Sequence, residues 1–218
     1  MKIRPAADKL IGGIYVIIHP EHCGGRDVFS IAEAIASAGA AAIQLRHKDA
    51  PETLVSDEAR AIAEICRANA TVFIVNDYPD IAAEIGADGV HVGQGDLSIP
   101  QCRAILQPHQ IVGKSNALLE EALTSFNEGA DYIAVGSIFS TSTKADTRPA
   151  GLKTLRAVAD HVSAPVVAIG GINASNIAAV AEAGADCVCV ATAVTLSNDP
   201  ASATRELAEI FSQAREDI

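Results

Sequence analysis

A chain of 218 residues that is 49% hydrophobic is long enough to bury a substantial core. Its 16 Lys and Arg stand against 27 Asp and Glu, a net charge of −11, which argues against a general nucleic-acid or anionic-membrane surface. The opening MKIRPAADKLIGG has no apolar signal region and no run is long enough to span a bilayer, so a cytoplasmic protein is expected. Cys23, Cys66, Cys102, Cys187 and Cys189 form no CxxC pair and no zinc spacing, which predicts free thiols. Cys187 and Cys189, two apart, would share one buried face of a strand.

Taken in chain order, Val/Ile-rich runs alternate with Ala/Glu-rich stretches of helical period, the pattern of a parallel sheet wrapped by helices. The predicted strands are IYVII from Ile14, AIQLR from Ala42, VFIVN from Val72 and GVHVG from Gly89. IVGKS from Ile111, YIAVG from Tyr132, PVVAI from Pro165 and CVCVA from Cys187 follow. Eight such units predict a closed α/β (β/α)8 barrel rather than an open doubly wound sheet, and no GxGxxG follows the first strand. No linker or charge block splits the chain, so residues 1–218 are expected to form a single domain. The phrases GADGV, GADYI and GADCV each stand between a helix and a strand and read as structural turns, glycine ending the helix and aspartate meeting backbone donors.

Reactive groups of such barrels collect at the C-terminal ends of strands. Here strand two leads to Gln44, Arg46 and Lys48, strand three to Asn76 and Asp77, strand four to Gln94 and Asp96, and strand five to Ser115 and Asn116. Arg46 and Lys48, two apart, would point the same way if the strand continued; they suit a diphosphate, or they form a solvated strand end. Asp77 and Asp96 end consecutive strands and could share a magnesium ion completed by substrate phosphates, although each also reads as a helix cap. After strand six, GSIFSTSTKADTRPAG places Thr141, Thr143 and Lys144 in a loop that could hold a phosphate or could be simply polar. The Gly170–Gly171 turn and the small residues Ala191 and Thr192 follow strands seven and eight, where this fold commonly binds phosphate.

Together QLRHK, VNDYPDIAAEIGADGVHVGQGD, VGKS, GADYIAVGSIFSTSTKADTRPAG, VVAIGGI and VATAV resemble the thiamine phosphate synthase family over most of the chain. The resemblance implies a transferase of thiamine biosynthesis that condenses a pyrimidine diphosphate with a thiazole phosphate and releases pyrophosphate. It implies Arg46, Lys48, Asn76, Ser115 and Lys144 on the pyrophosphate, and Asp77 and Asp96 on Mg2+. It further implies Gln44 and Tyr15 toward the pyrimidine, Thr141 and Thr143 toward the thiazole phosphate, and that phosphate on Gly171, Ala191 and Thr192. His91 matches a family histidine near the thiazole, and it also reads as a satisfied core histidine. The implied partners are these two small molecules, with no nucleic acid and no membrane; a homo-oligomer is compatible with the pattern. Asn116 and Ala117 depart from the family, which usually carries histidine two residues past the serine, and Lys114 replaces a small apolar residue. A thiazole tautomerase and a non-catalytic phosphate-binding barrel are the alternatives; the first has little use for Arg46, Asp77, Asp96 and Lys144 together.

Overall fold

The computed structural model describes residues 3–140 and 148–217. Eight parallel strands close into a barrel in sequence order, β1 (Ile14–Ile18), β2 (Ala42–Leu45), β3 (Val72–Asn76), β4 (Gly89–Val92), β5 (Ile111–Asn116), β6 (Tyr132–Val135), β7 (Val166–Ile169) and β8 (Cys187–Val190). Closure is made by β1 pairing with β8, with Ile14 opposite Val188 and Tyr15 opposite Cys189. Each expected strand is present; β2 stops at Leu45, one residue short of Arg46.

Alternation along the strands separates two cores. Outward residues such as Val16, Ile43, Val75 and Val188 pack against the helices, and inward residues such as Tyr15, Ile74, Ile111, Tyr132 and Cys187 fill the barrel. The short helix α1 (Pro5–Asp8) contributes Ala7, and Leu10 follows it; both are fully buried and belong to the inner cluster, closing the barrel at the N-terminal ends of its strands. All five cysteines are buried and free, and Cys187 and Cys189 share the inner face.

The helices carry local reasons for their limits. In the longest buried stripe, α3 (Glu52–Ala68) hides Val55, Ala59, Ile62, Ala63 and Cys66, which recur at helical spacing. The Asp199 side chain accepts from the Ser202 amide at the start of α10 (Pro200–Glu216). Ser98 and Gln101 form a reciprocal cap on α5 (Ile99–Ile105).

The repeated Gly-Ala-Asp joints are reciprocal clamps. Asp88, Asp131 and Asp186 precede β4, β6 and β8, and each accepts through its carboxylate from an amide of the neighbouring strand, Phe73 at 2.8 Å, Val112 at 2.7 Å and Val166 at 3.0 Å. Each also donates its own amide to the carbonyl of that same residue. The preceding glycines Gly86, Gly129 and Gly184 all have positive φ, the conformation needed to leave the helix and enter the strand. Before β2 the corresponding Gly39-Ala40-Ala41 keeps the turn and lacks the carboxylate. Among the described residues no helix is long and apolar enough to cross a membrane.

Candidate active site

The C-terminal tips of the strands surround a cavity of about 760 Å³. It is lined by Gln44, Arg46, Lys48, Asn76, Asp77, His91, Asp96, Ser115, Gly171, Ala191 and Thr192, so these widely separated sequence positions meet in one place. Thr141, Thr143 and Lys144 lie outside the described residues. Tyr15 does not line the cavity: it is 1% exposed on the inner face of β1, and Ile17, two residues nearer the tip, takes the lining position instead. Two residues of strand are about 7 Å, which is why an inward tyrosine at that point lies one layer below the site.

Asp77 sits at the tip of β3 in a left-handed conformation, φ 64°, with its amide donating to the His91 carbonyl at 2.9 Å. Lys48 Nζ stands 3.0 Å from Asp77 and 4.0 Å from Asp96, so the carboxylates face a common point. Burial, together with the neighbouring charge of Asp96, pushes the Asp77 carboxyl above its ordinary value, against the opposing pull of Lys48. Neither aspartate caps the following helix. The N-cap of α4 (Pro79–Ile85) is Tyr78, that of α5 is Ser98, and Asp96 instead accepts from the Gly93 amide at 2.8 Å. Arg46 and Lys48 reach the cavity from the loop after β2, not from a continuing strand.

Asn76 is 7% exposed, lines the cavity, and its Nδ2 has no partner among the described residues. A buried amide donor in that state calls for an acceptor from a ligand. His19, absent from the sequence expectations, also lines the cavity; burial and the nearby Arg46 charge bring its pKa down to about 4, so it is neutral at physiological pH. Arg148 is another addition, a guanidinium on the cavity wall that pairs with Glu121. Although burial opposes it, the Ala117 amide and Arg148 hold the Glu121 carboxyl below its usual value. The same rule that selected Arg46, cations gathered at strand tips, could have found Arg148 in the segment GSIFSTSTKADTRPAG.

Beneath the cavity runs a line of hydrogen-bonded side chains. Gln44 Nε2 donates to Tyr15 Oη at 2.5 Å, and the Tyr15 and Tyr132 hydroxyls are 3.2 Å apart. The Tyr132 hydroxyl lies 2.9 Å from His91 Nδ1, and His91 Nε2 lies 2.8 Å from Ser115 Oγ. Tyr132 fits because β5 carries glycine where the ring passes: a Cβ on Gly113 would fall 1.9 Å from Tyr132 Cζ. Asn116 accepts from Ser125 Oγ at 2.8 Å and from Gln94 Nε2 at 3.0 Å, and donates to the Lys114 carbonyl at 2.8 Å. Lys114 is 9% exposed with its amine 4.0 Å from Glu128, and it is not among the residues lining the cavity.

At the turn after β7, Gly170 and Gly171 have φ of 104° and 68°, and a Cβ on Gly171 would lie 2.5 Å from the Ser140 carbonyl oxygen. The backbone there can approach a ligand as no other residue type would allow.

Fold and site together define a (β/α)8 barrel whose strand-tip cavity gathers Arg46, Lys48 and Arg148 beside Asp77 and Asp96. The family model for thiamine monophosphate synthase matches residues 14–194, and the chain belongs to that family. It is 44% identical over 203 residues to the thiamine-phosphate synthase of Moorella thermoacetica, covering 93% of this chain and 97% of that one. The thiamine-phosphate synthase of Shouchella clausii is 41% identical over 202 residues, covering 92% and 97%. Among solved structures, thiamine phosphate pyrophosphorylase from Pyrococcus furiosus superposes with a TM-score of 0.86 at 38% identity, covering 95% of this chain and 98% of that one.

Proposed function

We propose that this barrel is a thiamine-phosphate synthase: it joins a pyrimidine diphosphate to thiazole phosphate, forming the C–N bond of thiamine phosphate and releasing pyrophosphate. The observation that carries the reading is the meeting of Arg46, Lys48, Asn76, Ser115 and the Asp77–Asp96 pair around one cavity in a family member.

The donor set fits magnesium. Two carboxylates face a common point, and among the described residues no group of three or more His, Cys, Asp or Glu could enclose a metal. Magnesium is commonly held in this way, by one or two carboxylates with substrate phosphate oxygens completing its shell. Asp77 and Asp96 would hold it, and when bound it supplies charge neutralisation to the diphosphate.

The chain's own residues do the rest. Arg46, Lys48, Arg148 and the Asn76 amide, which has no partner among the described residues, offer donors to the diphosphate, and Lys144 is proposed to join them. As the methylene–oxygen bond breaks, negative charge grows on the departing oxygen, and these fixed donors stabilise it most at that point. The thiazole nitrogen then forms the new bond to the pyrimidine methylene. Neither a protein nucleophile nor a catalytic triad is required. Gly171, Ala191 and Thr192 would seat the thiazole phosphate, Gln44 would face the pyrimidine, and Thr141 and Thr143 would orient the thiazole.

The test is to mix the purified protein with both substrates, with and without magnesium, and to measure pyrophosphate and thiamine phosphate. Joint appearance of both products, dependent on magnesium, is expected. Binding of the substrates without turnover would replace the transferase with a ligand-binding barrel.

A further inference from the structure

We propose that Tyr15, Tyr132 and His91 are positioning residues of this reaction, forming a one-way hydrogen-bonded chain that leaves the Ser115 hydroxyl hydrogen aimed at the departing diphosphate. The inference rests on the function proposed above and assigns work to Tyr15 and Tyr132, which do not line the cavity, through His91, which does.

The direction of the chain follows from counting protons. Gln44 Nε2 can only donate, so Tyr15 Oη accepts at 2.5 Å. We assign the hydrogen of that buried hydroxyl to Tyr132 Oη, 3.2 Å away, where the geometry suits either direction. Tyr132 in turn donates to His91 Nδ1 at 2.9 Å. An imidazole that accepts at Nδ1 carries its proton on Nε2, and Ser115 Oγ stands 2.8 Å from that nitrogen. Ser115, having accepted, has its own hydrogen left for the cavity it lines. A diphosphate presents acceptors alone, so a serine locked as a donor matches it and a serine donating to histidine would not. Reversing the chain would spend the Ser115 hydrogen on His91.

The surroundings hold the chain in this state. Tyr15 and Tyr132 are 1% and 0% exposed, and desolvation raises both phenols above their ordinary values, so each keeps the single proton it has to give. The Tyr15 and Tyr132 rings meet edge to face at 6.2 Å, and His91 stacks on Tyr132 at 5.7 Å, which fixes the three rings against rotation. His91, Gly113 and Tyr132 stand abreast on β4, β5 and β6, with His91 paired to Gly113 and Gly113 to Tyr132. Glycine at the middle position opens the space through which the Tyr132 ring reaches the imidazole.

Two measurements on the full-length protein test this. With ring-15N histidine and a His91→Asn variant for assignment, nitrogen chemical shifts of the resting protein should show His91 as the Nε2–H tautomer. The Nδ1–H tautomer would overturn the proposal, whatever the turnover. In kinetics, Tyr132→Phe keeps the ring and deletes the hydroxyl. It should lower kcat roughly tenfold to a hundredfold, the scale for losing a partner that orients a site group, while KM for both substrates moves less than about threefold. Because Tyr132 acts through Ser115, the double variant Tyr132→Phe/Ser115→Ala should be no slower than Ser115→Ala alone. An unchanged kcat in Tyr132→Phe, or losses that simply multiply in the double variant, sinks the idea. Should Tyr132→Phe fold poorly, Tyr15→Phe cuts the same chain one link earlier, and the same non-additivity with Ser115→Ala decides. A wild-type protein that makes no product refutes the function proposed above, whereas the tautomer still judges the chain.

Discussion

Asp77 sits in a place that does not favour charge. Its carboxyl is pushed above the ordinary value of 3.8 by burial and by Asp96, so the folded protein binds that proton more tightly than the unfolded chain does. Its contribution to stability is therefore full below about pH 3.8 and declines as pH rises through the higher folded-state value, leaving a penalty at neutral pH. Asp77→Asn, which also suits the left-handed backbone at φ 64°, should raise the melting temperature of the metal-free protein at pH 7. If Asp77 and Asp96 hold magnesium as proposed, the ion should raise the melting temperature of the wild type and not that of the variant; thermal melts with and without magnesium check both signs. Gly113→Ala should do the opposite, pressing a methyl group into Tyr132 and costing about 1 to 3 kcal/mol as an overpacked core does, readable in denaturant unfolding. Residue by residue, the strand tips were legible: the rule that polar groups gather there brought Gln44, Arg46, Lys48, Asn76, Asp77, Asp96 and Ser115 to one cavity. Depth was not, since Tyr15 and Ile17 face the same way and only the closed barrel shows which one meets the ligand. The line from Gln44 to Ser115 was invisible for a similar reason: its members come from five strands, and only their packing reveals a shared axis.

At the level of elements, the three Gly-Ala-Asp joints are alike in sequence and unequal in load. Asp88 and Asp186 clamp the neighbouring strand through reciprocal bonds with Phe73 and Val166. Asp131 does the same for Val112 and in addition receives Arg4 and Arg103, with its side chain 3% exposed. Asp131→Ala removes the carboxylate shared by two guanidinium groups and an amide, and should cost about 3 to 5 kcal/mol, as breaking a buried ion pair does. Asp88→Ala removes one charge-assisted bond and should cost about 1.5 to 3 kcal/mol. Equilibrium unfolding of the two variants ranks them, and equal losses would deny Asp131 its special place. The sequence showed these phrases as turns, because glycine and aspartate have strong local signatures. It did not show reciprocity, which depends on a strand fifteen to twenty residues earlier. Nor did local pattern place the end of β2: the run AIQLR reads as strand throughout, yet pairing ceases at Leu45 and the loop aims Arg46 and Lys48 inward.

Across the whole molecule, stability and chemistry occupy opposite ends of the barrel, the division this architecture commonly shows. Leu10→Ala, at the buried plug by α1, should lower stability by about 2 to 5 kcal/mol, as core truncations do, and leave kcat unchanged; a fall in kcat in the folded variant would contradict the division. Eight strand–helix units were countable in the sequence, whereas closure was not, because the β1–β8 pairing joins residues more than 170 positions apart. The plug has a further effect on traffic. With Ala7 and Leu10 sealing the base, the chamber is a cul-de-sac, and two reactants and two products must share the doorway at the strand tips. Whichever ligand lodges deeper has to arrive first, and departure runs in the reverse order. Product-inhibition kinetics should accordingly show an obligatory sequence rather than free exchange.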